Sequence, residues 1–249
     1  MNFTRRKFCA ITGGTIASVV AGSACRTTHS NSDARITARP RTDVKPNNSS
    51  GEIYLGLDRE RDAILHLPNN PDQKPLPLLL MLHGATQNPE DMFWYLDPHH
   101  ENAGVAVLAP SSRDTTWDAI GGSFGPDIDF LNRSLQRVFE TTAIDPARVS
   151  LGGFSDGASY AISLGLINGD LFNKVAAFSP GFIVDGWPNG SPRFFISHGR
   201  RDHILPIDRC GRYIANRLRT EGYAVTFREF DGDHEIPAEV AVEGLQFVK

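Results

Sequence analysis

The chain has 249 residues, 40% hydrophobic and 22% charged, an ordinary globular balance with length for one sizeable core. Its formal net charge is −4 and it has no long basic run, which argues against a role in binding nucleic acid.

Thr4-Arg5-Arg6-Lys7-Phe8 precedes a mildly apolar run from Ile11 to Ala24. That run is short for a membrane span and is thinned by Gly, Ser and Thr. The paired arginines followed by a weak hydrophobic stretch resemble a twin-arginine export signal. Such a signal implies an exported protein, whether periplasmic, secreted or held at a membrane as a lipoprotein. Small residues before Cys25 suit a signal peptidase, and Ser23-Ala24-Cys25 also resembles a lipobox in which Cys25 is lipidated. Gly22 stands where a lipobox usually has an aliphatic residue, so cleavage and lipidation both remain open. Residues 26–50 are polar and carry Pro40, Pro46, Asn47 and Asn48. They read as a flexible linker with a random-coil span of roughly 25–30 Å. The domain then occupies 51–249. Cys210 is its one cysteine, expected as a buried helix residue and not as a disulfide partner.

Within the domain, strand and helix patterns alternate. Glu52 to Leu57 and Asp62 to Leu67 predict two antiparallel opening strands. Leu76 to Leu82 (LPLLLML) is a near-continuous apolar run, as a central strand covered on both faces requires. Pro89 to His100 predicts a helix. The pair His99 and His100 could suggest a metal, but adjacent helical residues point apart, so they read as a solvated helix end. Gly104 to Ala109 predicts a strand, and Asp127 to Thr141 a helix with Ile128, Leu131, Leu135, Val138 and Phe139 on one face. Strands follow over Arg148–Leu151, Val175–Phe178, Arg193–Ser197 and Ala224–Phe230, with helices over 156–167, 207–221 and 237–247. The sum is a mostly parallel twisted α/β sheet with helices on both faces and no large lid.

The segment RVSLGGFSDGASYAISLGL carries Gly153-Phe154-Ser155-Asp156-Gly157 between a strand and a helix. A serine on that sharp turn projects its hydroxyl clear of the backbone, and the helix N-terminus behind it offers N–H donors to an oxyanion. Such a serine needs a base, an acid that orients the base, and two oxyanion donors. In this fold they follow in the order Ser, acid, His. Of the histidines after Ser155, His198 and His203 flank the penultimate strand, and His234 follows the last one. His234 has the order and place of the base. Asp202, just after FFIS, is the candidate acid. Asp185 and Asp208 are less well placed, and Asp231 and Asp233 fit better as turn residues beside His234. The oxyanion donors are expected from the N–H of Asp156 and, after His83-Gly84, the N–H of Ala85.

Together LLMLHGATQN, RVSLGGFSDGASYAISLGL, ISHGRRDHILPI and FDGDHEIP resemble the phospholipase/carboxylesterase family of α/β-hydrolases over roughly residues 52–249. The resemblance implies Ser155 as nucleophile, Asp202 as acid and His234 as base, with the oxyanion loop around Gly84 and Ala85. It implies no metal and no organic cofactor, and small-molecule carboxylic esters, thioesters or lysophospholipids as substrates. One departure is Asp156, where such proteins often carry Gln; its carboxylate is expected to point away from the oxyanion. Trp117, Phe124 and Trp187 are candidate pocket residues. Dienelactone-hydrolase-like or polyester-depolymerase-like activity is an alternative on the same fold. A non-catalytic hydrolase-fold binding protein is another.

Overall fold

A computed structural model describes residues 34–46, 49–96 and 99–249. The export-signal reading of 1–25, including Cys25, lies outside the described residues.

Eight strands form one sheet: β1 (Gly51–Tyr54), β2 (Ala63–Leu67), β3 (Leu76–Leu82), β4 (Ala106–Pro110), β5 (Ile144–Phe154), β6 (Lys174–Phe178), β7 (Arg193–Gly199) and β8 (Val225–Phe230). Their spatial order is β1-β2-β4-β3-β5-β6-β7-β8. β1 and β2 pair antiparallel, as do β2 and β4, and every other neighbour pair is parallel. β3 lies between β4 and β5, and all seven of its residues are buried. That double cover is why it reads as an unbroken apolar run and not as an alternating one.

Alternate residues of these strands feed two cores, as the period-two geometry of a strand dictates. Leu78, Leu80, Leu82 and Leu151 face α3 (Pro126–Thr141), α4 (Asp156–Ile167) and α5 (Gly211–Thr220). Leu79, Met81, Ala176 and Phe195 face α1 (Pro89–Leu96) and α6 (Ala238–Val248). α4 is buried on nearly every side, whereas α3 shows the one-sided apolar stripe expected of a surface helix.

The single helix expected over 89–100 is two: α1, and a short α2 over His99–Ala103. Pro98 lacks the N–H that a continuous helix needs there. His100 is fully buried against His66 of β2, which corrects the solvated helix end expected for it. Helix α5 begins at Gly211, four residues later than expected, after turns of mixed spacing in which the N–H groups of Arg209, Cys210 and Arg212 reach back three, four and five residues. Cys210 is buried and free, at the cap of α5.

Of the linker expected over 26–50, residues 34–39 are held against the domain. Ala34 and Ile36 are each 1% exposed, packed at the foot of α4. Asn168, which caps α4, accepts from the N–H of Ile36 at 2.8 Å and donates to the carbonyl of Ala34 at 2.9 Å. Asn132 of α3 accepts from the N–H groups of Thr37 and Ala38 at 2.7 and 3.1 Å. Arg35 and Arg39 converge on Asp170 at 3.0 and 2.6 Å. Two side-chain amides thus satisfy an extended segment that has no strand partner. Polar composition predicted freedom, but the segment's few apolar residues find a groove. Asn168→Ala should therefore lower unfolding free energy by about 2–4 kcal/mol, since it leaves a buried N–H and a buried carbonyl unpaired. Urea unfolding checks this; a change below about 0.5 kcal/mol would mean that the segment is not held there.

Candidate active site

The turn between β5 and α4 is set by steric exclusion. Ser155 has φ 55° and ψ −118°, a strained conformation for a residue with a side chain, costing on the order of 1–3 kcal/mol. The flanking glycines make it possible. A Cβ on Gly157 would lie 2.2 Å from the carbonyl oxygen of Leu82, and one on Gly153 would lie 2.3 Å from the carbonyl oxygen of Gly157. Helix α4 thus packs directly on the backbone end of β3.

Ser155 Oγ donates to His234 Nε2 at 2.8 Å, and His234 Nδ1 donates to Asp202 Oδ2 at 2.7 Å. These three residues, proposed from chain order alone, are brought together from the ends of β5, β7 and β8. The rival acids are engaged elsewhere: Asp185 pairs with Arg217, Asp208 with Arg212 and Asp231 with Arg201. Asp202 has no exposed side-chain surface and accepts three hydrogen bonds. Oδ1 takes the N–H groups of Ile204 and Leu205 at 3.0 and 2.7 Å. Oδ2 takes His234, and Nε2 of the buried His198 lies 3.2 Å from it.

His198 was considered in the sequence as a rival base. Its Nε2 faces two acceptors, Asp202 and the carbonyl of Leu205 at 2.7 Å, so that nitrogen carries the proton. Its Nδ1 has no partner and lies against Gly211, where a Cβ would be 2.6 Å away. Burial lowers its pKa, so His198 is a neutral donor behind Asp202. Asp233, read as a turn residue, joins the two loops: it accepts from the N–H of His234 at 2.8 Å and from His203 Nδ1 at 2.7 Å. Neither role has a signature in composition, because both depend on which loops meet.

The loop after β3 is pinned from several sides. His83 is buried; its Nδ1 donates to the carbonyl of Gly84 at 2.7 Å and its Nε2 accepts from the N–H of Ser112 at 3.0 Å. Burial lowers its pKa, which suits this neutral, doubly used ring. The N–H of Gly84 donates to Gln87 Oε1 at 2.9 Å, and that of Thr86 to the carbonyl of Thr115 at 2.7 Å. The N–H groups of Ala85 and Asp156, the expected oxyanion donors, take no acceptor among the described residues. The Asp156 carboxylate receives the Thr116 hydroxyl at 2.8 Å, so it is held by the loop after β4.

The proposed pocket residues do not gather. Trp117 is 1% exposed, its ring beside His83 and Tyr160, and its indole N–H donates to the carbonyl of His83 at 2.8 Å. It supports the loop after β3 from beneath, which corrects its assignment as pocket lining. Phe124 packs against Tyr160 and the main core, while Trp187 is 79% exposed on the loop after β6. Trp117's loop is latched by Asp118 and Asp127. Asp127 takes the N–H groups of Arg113 and Asp118 at 2.6 and 2.7 Å, and burial pushes its carboxyl up to about 6.

No family model matches the chain. It is 28% identical over 127 residues to an acyl-protein thioesterase 1 of Aspergillus fumigatus, covering 47% of this chain and 52% of that protein. It is 29% identical over 167 residues to the bifunctional acetylxylan esterase/xylanase XynS20E of Neocallimastix patriciarum, covering 63% of this chain and 23% of that protein. The chain thus spans about half the length of the thioesterase and less of the second relative. Among solved structures, it superposes with a TM-score of 0.65 on FphF, a fluorophosphonate-binding serine hydrolase of Staphylococcus aureus. That match has 16% identity and covers 80% of this chain and 99% of the other. The chain has the α/β-hydrolase fold, and its described residues form no large lid.

The His198 contact is testable through stability. His198→Leu removes the donor to the carbonyl of Leu205 and should lower the unfolding free energy by about 1–2 kcal/mol. Urea unfolding checks this; an unchanged midpoint would show that His198 only fills space.

Proposed function

We propose that the protein is a serine carboxylesterase that works through an acyl-enzyme. The single observation carrying this reading is the unbroken chain Ser155 Oγ–His234–Asp202, with contacts of 2.8 and 2.7 Å. His234 takes the Ser155 proton as Oγ attacks the ester carbonyl. The N–H groups of Asp156 and Ala85 receive the negative charge on the carbonyl oxygen. His234 then protonates the departing alcohol, or the thiol of a thioester, and afterwards activates the water that releases the acid. Asp202 holds the imidazole in its working tautomer and stabilises the imidazolium. The twin-arginine-like start supports an exported enzyme. Its attachment through Cys25 is the finer alternative, settled by the mass of the mature N-terminus.

A cavity of about 320 Å³ favours one substrate reading. Thr86, Gln87 and Asn88 of the oxyanion loop line it with Glu60, Arg61, Ser111 and Thr115. A second cavity shares Glu60, Asn88 and Ser111 and runs on to Asp58, Arg59 and Tyr54. This lining of amides, hydroxyls and mixed charge suits the many hydroxyls of a sugar better than an acyl chain. The likeness to an acetylxylan esterase points the same way. The second reading is therefore an ester whose alcohol is a carbohydrate.

Ser155→Ala should lower p-nitrophenyl ester hydrolysis by at least about 10⁴-fold and abolish fluorophosphonate labelling, with the fold retained. Unchanged turnover, or wild-type protein that does not label, would remove the esterase assignment and favour a binding protein. For the carbohydrate reading, Asn88→Ala should raise KM for an acetylated xylo-oligosaccharide about 5–10-fold, as for one lost hydrogen bond, and leave p-nitrophenyl acetate unaffected. Equal effects on both esters would reject it.

A further inference from the structure

We propose that His66 and His100 form a site for a divalent transition-metal ion, separate from the Ser155 centre. His66 lies on β2 and His100 on α2, and His66 Nδ1 approaches His100 Nε2 to 2.8 Å. His66 Nε2 is 3.0 Å from Glu101 Oε1, and an ionised carboxylate only accepts, so this nitrogen carries hydrogen and His66 Nδ1 presents its lone pair to His100. His100 Nε2 meets that lone pair either with a proton, as an ordinary N–H···N hydrogen bond, or with a lone pair of its own when its Nδ1 carries the hydrogen toward the carbonyl of Leu96, 3.4 Å away. In the second tautomer the two inner nitrogens face one point and can share a cation.

The surroundings favour a metal ion over a proton in that place. Metal-bound imidazoles typically give their other N–H to a carboxylate or a backbone carbonyl, and here one ring has each. Glu101 is itself held, accepting from the N–H of Asn69 at 3.3 Å. Phe93 packs against both rings, at 5.6 and 6.2 Å, and closes the apolar side. The opposite side gives access: the side chains of His66 and Glu101 are 15% and 34% exposed. One ligand atom from each of His66, His100 and Glu101 falls within 4.8 Å of the others, so the carboxylate can complete the set or steady His66 from behind. Nitrogen–zinc bonds of 2.0–2.1 Å in tetrahedral geometry place two nitrogens about 3.3 Å apart, so the rings need open by only about 0.5 Å. Imidazole with one carboxylate suits zinc and its neighbours and not magnesium or calcium. A bound ion would tie β2 to α2, and its effect would be on stability and not on ester turnover.

Calorimetric titration of the full chain with zinc chloride tests the site, with magnesium chloride as the control. The expected result is one zinc per chain with proton release and no magnesium heat. At zinc 100 times its Kd, Tm should rise by about 5–10 °C. His66→Gln, at the more accessible ring, should lose both signals, while His99→Gln and His203→Gln keep them. His100→Asn is the second variant, compared by zinc-induced shift and not by absolute Tm. Zinc binding unchanged in His66→Gln would overturn the proposal. So would no zinc binding together with a Tm that varies through the imidazole range only in proteins that carry both histidines. That outcome would assign the gap to a shared proton.

Discussion

The close approach of α4 to the backbone of β3 governs the rest of this molecule. At Gly157 the Cα lies so near the Leu82 and His83 carbonyls that no Cβ fits, the nearest being 2.2 Å away. That contact forces the chain through the strained Ser155 conformation and sets the start of α4 beside the loop that leaves β3. The projecting hydroxyl and the placement of the α4 start beside the loop after β3 follow from one steric constraint. The strain is sustained because α4 is buried along its whole length, and on the order of ten packed side chains over-determine its position. An elbow on a surface helix would lack that support.

Electrostatics then sharpen what sterics place. Asp202 is withdrawn from water and is met by two backbone N–H groups at Oδ1 and by His234 at Oδ2. The buried His198 lies behind it, its Nε2 3.2 Å from Oδ2 and bonded to the carbonyl of Leu205 at 2.7 Å. Both carboxylate oxygens are thus held, which fixes how the His234 ring is presented to Ser155. Burial of the pair raises the strength of each contact, since little solvent screens it.

The order of the motifs was enough to read the sheet, the three converging side chains and the loop after β3. Each leaves a local mark: an apolar run, glycines at fixed spacing, a histidine after the last strand. What was not legible depends on which loops meet. Trp117 looked like pocket lining because an aromatic among glycines carries no sign of whether it turns in or out. His100 looked solvated because its partner, His66, is 34 residues away on another strand. Residues 34–38 looked free because two asparagines, Asn132 and Asn168, do the work of a missing strand, and an asparagine in a helix has no visible target. Composition records how much a segment wants to be buried, but not whether the fold has left a groove for it.

That docked segment also lies far from the Ser155 turn. Ser155 begins α4 and Asn168 ends it, and twelve helical residues separate the two by about 18 Å. The segment packs at the Asn168 end, where Ala34 and Ile36 are buried. One helix thus serves two purposes at its two ends. Its first turn holds Ser155 against His234, and its last residue holds an extended segment that no strand could pair. Because the buried helix between them is rigid, the asparagine contacts steady the helix without crowding the Ser155 end.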